Sequence, residues 1–458
     1  MEVSSKTSDK LTLAIESLGY KQELGRVLRT RDLFVFGMVS MAPVSAQTFF
    51  GSLTQMSNGH AVLAYVIGLL AIIFTAGSYG KMAGAFPIAG STYSYTSRAI
   101  HPVLGFLAGW AILIDYLLIP ILVYKLNALF AIQVVPIPLW LMLLIFVLFV
   151  TIFNYIGNSV TTKVNMLMTV LMIGGIVLFM TFAIKALQNG VGGGAVFSLK
   201  GIYNESTFSW NALLAGSSIA VLSYLGFDGV STLAEDSKVT GKMIGKASIL
   251  ACIVCTCLYV GQVYFATLII PDFTSFQSAD TAFFEISTMI GGSTLATLLT
   301  AILASSGIST ALAAQAAASR LLYGMGRDGV IPKVFAYIHP KFKTPSNSIL
   351  FMGVLGYFGA LFFDLNLVFL IVAFGALLGF CCVNLSVIWK FFIKDKKRSG
   401  IHFITNLVSP LCGLLICSYI IYGMDQIGKI SGLLWLVVGL IVLAVKKKGF
   451  SAIQTFHK

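Results

Sequence analysis

From residue 33 to residue 446 the chain is a succession of apolar runs, most of them close to the ~20 residues that a helix needs to cross ~30 Å of hydrocarbon. Twelve can be drawn, at about 33–56, 61–84, 103–132, 138–155, 162–187, 210–237, 246–270, 291–319, 347–363, 367–391, 402–423 and 431–446. Two are broken near their middle by helix-weakening residues: Met41-Ala42-Pro43-Val44-Ser45 in the first and Leu225-Gly226-Phe227-Asp228-Gly229 in the sixth. A broken helix inside lipid must have its freed backbone groups shielded by protein or by a water-filled cavity, and secondary transporters use such half-helix ends to hold solute at the midplane. The breaks therefore mark the expected binding site.

Composition agrees with a membrane protein. Of 458 residues, 57% are hydrophobic and only 10% charged, with a mean hydropathy of +0.92; so few charges cannot cover a soluble globule of this size. The net charge of +13 would suit an anionic partner such as nucleic acid if it were spread over the chain. It is not. With the amino terminus in the cytoplasm, all of the 30 Lys and Arg except Lys125, Lys185, Lys200 and Lys429 fall on the cytoplasmic side. This is the positive-inside pattern; it predicts two cytoplasmic termini and leaves no role for nucleic acid. Residues 1–32 read as a polar tail rather than a cleaved signal peptide, and 447–458 as a second tail.

A shift of about 185 residues superposes the second span on the seventh, the third on the eighth, and one broken span on the other. The expected architecture is all-α: five helices (about 33–187), five more inserted in the opposite sense (about 210–391), and two further helices (about 402–446). Five is odd, so the second set must enter the membrane inverted, giving two halves that rock against each other. Gly190 to Gly194 read as a flexible loop. Asp272, Asp280 and Glu285 mark the stretch after Pro271 as an outside loop with a short surface helix, and Asn204-Glu205-Ser206 is a glycosylation acceptor only in a eukaryotic host.

Two carboxylates, Asp115 and Asp228, fall deep within spans, with Glu235 and Asp236 at the cytoplasmic end of the sixth. A charge at the bilayer centre costs at least ~2.5 to 3.5 kcal/mol, so such groups usually face the bundle interior and pair, bind solute or relay protons. Asp115 lies about 18 Å into the third span at ~1.5 Å per residue, a depth similar to that of Pro43 and Asp228. The chemistry suggested is recognition of a cationic amine, whose attraction to a carboxylate is stronger in a low dielectric. The competing reading makes Asp115 a structural group bonded to Tyr116 or to a neighbouring helix. Ser45, Gln47 and Thr48 follow the first break, and Ser305, Ser306, Ser309 and Thr310 lie in the eighth span; each can bind solute or simply bridge helices. Lys125 reads as a side chain snorkelling to the outer interface.

Other chemistries find little support. The spacing of Cys252, Cys255 and Cys257 suggests packing in a membrane helix rather than metal, all seven Cys lie in spans, and the five His form no ligand pattern. No cofactor or metal is expected. Neither a nucleophile elbow nor a phosphate loop suggests an enzyme, and the apolar walls of most spans argue against a channel.

Several stretches resemble the amino acid, polyamine and organocation permeases, and among them the bacterial putrescine importers. They are Ser78-Tyr79-Gly80-Lys81, Phe86-Pro87-x-Ala89-Gly90-Ser91-x-Tyr93, Asp115-Tyr116, Leu225-Gly226-Phe227-Asp228-x-Val230-x-Thr232-Leu233-x-Glu235 and Ser319-Arg320-Leu321-Leu322-Tyr323-x-Met325-Gly326-Arg327-Asp328. The resemblance implies a LeuT-like bundle and an importer holding solute between spans one, three, six and eight. It points to Ala42, Pro43, Ser45, Gln47, Thr48, Asp115, Tyr116, Ser223, Tyr224, Gly226, Phe227, Asp228, Ser305 and Ser309 as substrate-binding candidates. Three departures refine it. The first break is Ala-Pro-Val-Ser rather than the Gly-rich segment that cradles a substrate carboxylate in amino acid permeases. Putrescine importers carry an acid where Thr48 stands, and several proton-coupled relatives carry a Lys where Met172 stands. The expected function is import of a small organic cation, a polyamine such as putrescine, coupled to H⁺ or Na⁺ with Asp228 as the coupling group. An amino acid permease or exchanger, taking a zwitterion, is the alternative.

Overall fold

The computed structural model describes Glu16 and residues 27–88, 91–132, 135–234, 237–279 and 282–445. The rest of both tails, Glu235, Asp236 and Asp280 lie outside the described residues, as does the side chain of Ser305. Every regular element among the described residues is helical. In chain order they are α1 (Thr30–Met41), α2 (Ser45–Met56), α3 (Ala61–Ala85), α4 (Ser91–Ala99), α5 (Pro102–Ala131), α6 (Leu139–Ile156), α7 (Asn158–Gln188), α8 (Trp210–Tyr224), α9 (Gly229–Thr232), α10 (Gly241–Ile269), α11 (Ala282–Arg327), α12 (Ser346–Phe362), α13 (Leu365–Val387), α14 (Ile401–Gly423) and α15 (Gln426–Val445).

Among the described residues ten helices are long and apolar enough to span a bilayer; α1 and α2, bent by 42° at their junction, make an eleventh if taken as one broken span. The 17-residue α12 is a shorter apolar helix. Both expected breaks are present. α1 stops at Met41 because Pro43 has no N–H to continue the ladder and disfavours helical geometry in the residue before it; Ala42 turns the chain with φ 46°. α8 stops at Tyr224, and Gly226 takes φ 103°, a left-handed geometry open to glycine; a Cβ there would also press on Ser40. The loop after Pro271 leads into a helical stretch that breaks at Gly292 (φ 72°, ψ −176°), one residue from the start predicted for the eighth span. α4, between the second and third spans, was not expected, and α13 runs on as a π-helix, Ile388–Lys394.

Small residues set the closest helix contact. Gly80 and Gly84 on α3 face Gly245 and Gly241 on α10, and a Cβ on Gly80, Gly241 or Gly245 would overlap the opposing backbone. Glycines four apart on both partners let the two backbones meet, as membrane helices do where lipid offers no hydrophobic drive for association. The crossing fixes α10 beside both breaks. Gly245→Val should lower the Tm of the detergent-purified protein, at a cost of about 1–3 kcal/mol for overpacking; an unchanged thermal melt would show that the helices can separate freely.

Candidate functional site

The site is built from backbone groups that the two breaks set free. The Pro43 carbonyl accepts from Gln262 Nε2 of α10 at 3.0 Å, and the Val39 carbonyl, which takes the Ala42 amide at 3.1 Å, accepts a second bond from Thr310 Oγ1 of α11 at 2.9 Å. Gln262 Oε1 in turn accepts from Gln47 Nε2 at 2.8 Å. The Tyr259 hydroxyl lies 2.7 Å from the Met41 carbonyl and 2.8 Å from that of Ser223, so one O–H bridges the cut ends of α1 and α8. Buried carbonyls left without a donor would each cost ~1–3 kcal/mol. Within α5, Pro120 withholds the donor that the Tyr116 carbonyl would otherwise receive from four residues on.

Three cavities follow one another from one end of the bundle to the breaks. The widest, about 980 Å³, is bordered by Gln47, Thr48, Lys125, Gln277, Glu285 and Asp364 among others. The second, about 80 Å³, has Ala42, Ser45, Asn127, Ser306 and Thr310 on its walls and shares Thr48, Phe49, Leu126 and Leu303 with the first. It has room for two or three waters at ~30 Å³ each. A third, about 20 Å³, lies against Tyr116, Gly226 and Asp228 and shares Ser40, Ile119 and Leu225 with the second. The column thus runs past the first break and ends on the carboxylate of the second.

Asp228 is 2% exposed, and Tyr116 donates its hydroxyl to Asp228 Oδ2 at 2.5 Å. The carboxylate lies against the unwound segment between α8 and α9, in which the Gly229 amide donates to the Gly226 carbonyl at 3.1 Å. A donor such as Tyr116 favours a charged acceptor. Asp115 is not bonded to Tyr116, contrary to one expectation: Tyr116 serves Asp228, and both oxygens of Asp115 lie buried without a hydrogen-bond partner. Lys125 does reach toward the wide cavity, donating to the Phe363 carbonyl at 2.5 Å.

Of the candidates from sequence, Ala42, Ser45, Gln47, Thr48, Tyr116, Gly226 and Asp228 border the column, while Pro43 contributes the carbonyl held by Gln262. Ser223, Tyr224, Phe227 and Ser309 border none of these three cavities. The Ser223 hydroxyl pairs with Tyr65, the Tyr224 hydroxyl donates to the Tyr65 carbonyl, and Ser309 bonds back to the Ser306 carbonyl. Phe227 packs edge-on against Tyr79. Ser40, Asn127, Tyr259 and Gln262 were not singled out, although Tyr259 and Gln262 stand three apart, polar and on one face of an otherwise apolar span.

Broken spans, freed backbone and a column of cavities ending on a buried carboxylate define a solute transporter rather than a catalytic centre. The chain belongs to the amino acid permease family, whose model matches residues 33–449, and is a multi-pass membrane permease, not an enzyme. It is 32% identical to the low-affinity putrescine importer PlaP of Escherichia coli (strain K12), over 93% of this chain and 95% of that protein. It is 24% identical to the branched-chain amino acid permease BcaP of Bacillus subtilis (strain 168), over 92% and 93%, and 25% identical to the methylthioribose transporter of the same organism, over the same shares.

Tyr259→Phe removes the one donor that, among the described residues, the two cut ends share. The variant should lose about 1–3 kcal/mol, seen as a lower Tm in detergent, with Tyr65→Phe, which leaves both cut ends bonded, shifted less. Equal shifts would deny Tyr259 its bridging role.

Proposed function

We propose that this protein imports a small organic amine of the polyamine class, such as putrescine, by alternating access coupled to protons. The reading rests on one observation: Asp228, the one acid on the column's deep wall among the described residues, accepts from the Tyr116 hydroxyl and is held in a form suited to an ammonium group. An amine reaching it passes Thr48 and Ser45 and replaces hydration with a fixed carboxylate. A substrate carboxylate would find no Lys or Arg on the walls of the two inner cavities. Similarity to a putrescine importer points the same way.

In this reading the bent pair α1–α2 counts as one span and α12 as another, giving twelve with both termini cytoplasmic, and spans one to five repeat inverted in six to ten. The wide cavity then opens to the outside, and the inner pockets are closed from the cytoplasm. Asp228 couples the proton to the amine, since Met172 leaves no lysine at the position some relatives use. The amino acid reading is favoured by similarity to BcaP.

Labelled putrescine uptake into proteoliposomes, with and without an inward proton gradient, tests the proposal. Saturable, gradient-driven uptake blocked by spermidine is expected, and Asp228→Asn should abolish it while the protein stays inserted and monodisperse. Uptake of a labelled branched-chain amino acid with none of putrescine would transfer the assignment to the alternative, and wild-type rates in Asp228→Asn would remove that residue from the mechanism.

A further inference from the structure

Asp115 is left without a task by the column. It is 1% exposed, neither oxygen has a hydrogen-bond partner, and it borders none of the three cavities. Close packing seals it in. Gly375 of α13 presses on this turn of α5, so that a Cβ at 375 would lie 2.8 Å from the Ala111 carbonyl oxygen and 3.6 Å from Asp115 Cβ. The titratable groups around it are Asp228 between α8 and α9, Tyr79 on α3 and its neighbour Tyr116 on α5, with Tyr95 of α4 facing Asp228. α13 brings Gly375 to the contact with Asp115, and α11 lines the Asp228 side with Ala313, Ala314 and Ala317. Among the described residues no Lys or Arg pairs with either carboxylate.

A bare carboxylate without donor or cation gives up its hydration for nothing, and two neighbouring carboxylates in such a place do not both ionise. The hydrogen bonds decide which one is charged. Tyr116 donates to Asp228, while among the described residues no donor reaches either oxygen of Asp115. We propose that Asp115, sealed from the solute column, is the site that carries the coupling proton, while Asp228 stays ionised to meet the amine. This deepens the amine-import reading and rests on it for the transport steps: coupling acts between the two carboxylates, with the proton itself on Asp115. Hydronium in the outer solution loses a proton as the O–H bond forms on Asp115, and that bond breaks again as the proton passes to water on the cytoplasmic side. The loaded carrier reorients with Asp115 neutral, and net import requires it to lose that proton.

Asp115→Asn imitates the protonated form. In proteoliposomes it should keep exchange of labelled for unlabelled putrescine, lose gradient-driven accumulation, and lose the pH dependence of exchange. The infrared spectrum of purified protein at neutral pH supplies a readout independent of transport. The C=O band of a protonated carboxylic acid should be present in the wild type, absent in Asp115→Asn and retained in Asp228→Asn. A band kept in Asp115→Asn, or lost in Asp228→Asn, overturns the proposal, as does loss of exchange in folded Asp115→Asn. If Asp115→Asn does not fold, the Asp228→Asn spectrum alone decides. Absence of putrescine transport by the wild type would instead count against the import reading, while the spectra still settle where the proton is held.

Discussion

A backbone carbonyl set free inside a membrane has to find a donor elsewhere in the protein, and the arrangement of this permease follows from how two sets of them do so. The cut ends of α1 and α8 are joined through Tyr259, and Gln262 and Thr310 hold the carbonyls on either side of the first break. These donors sit on α10 and α11, so both helices must lie against the breaks. α10 can do so because Gly241 and Gly245 let it lie directly on α3. A requirement of the backbone thus becomes a fixed geometry for the side chains that face solute.

That geometry separates polarity along the column. Its wide end carries both signs, with Lys125 facing the same cavity as Glu285 and Asp364. The middle pocket is mostly aliphatic, with hydroxyls and one amide, from Ser45, Ser306, Thr310 and Asn127. At its deep end the walls are Leu225, Ile119 and alanines around a single carboxylate. In such apolar surroundings one charge attracts a counter-charge more strongly than it would in water. Tyr116 keeps that carboxylate in place before any solute arrives, so little reorganisation is left for binding to meet.

Much of this was legible in the chain, and the reason differs by residue. Pro43 and Gly226 declare the breaks because their effect on the backbone is local. Asp115 and Asp228 were expected at a similar level along their spans by counting from the span ends, and the structure makes them neighbours. Direction around the helix axis is another matter. Ser223 and Tyr224 turn toward α3 and Ser309 bonds back within its own helix, while Ser40, Ser306 and Asn127 border the pocket. With α8 buried among its neighbours nearly all round, apolar residues do not mark one face, and packing alone selects it. The partner of Tyr116 was equally hidden, since Asp228 is 112 residues away.

The central claim is that solute travels down the column from the wide cavity to Asp228, and Thr48, which borders both outer cavities, is where it can be tested. In a cysteine-free background, Thr48→Cys would be treated from outside with a membrane-impermeant thiol reagent, with and without saturating putrescine. Modification slowed by putrescine is the predicted result. Modification at the same rate in its presence, or a thiol that never reacts, would contradict a solute path through this site.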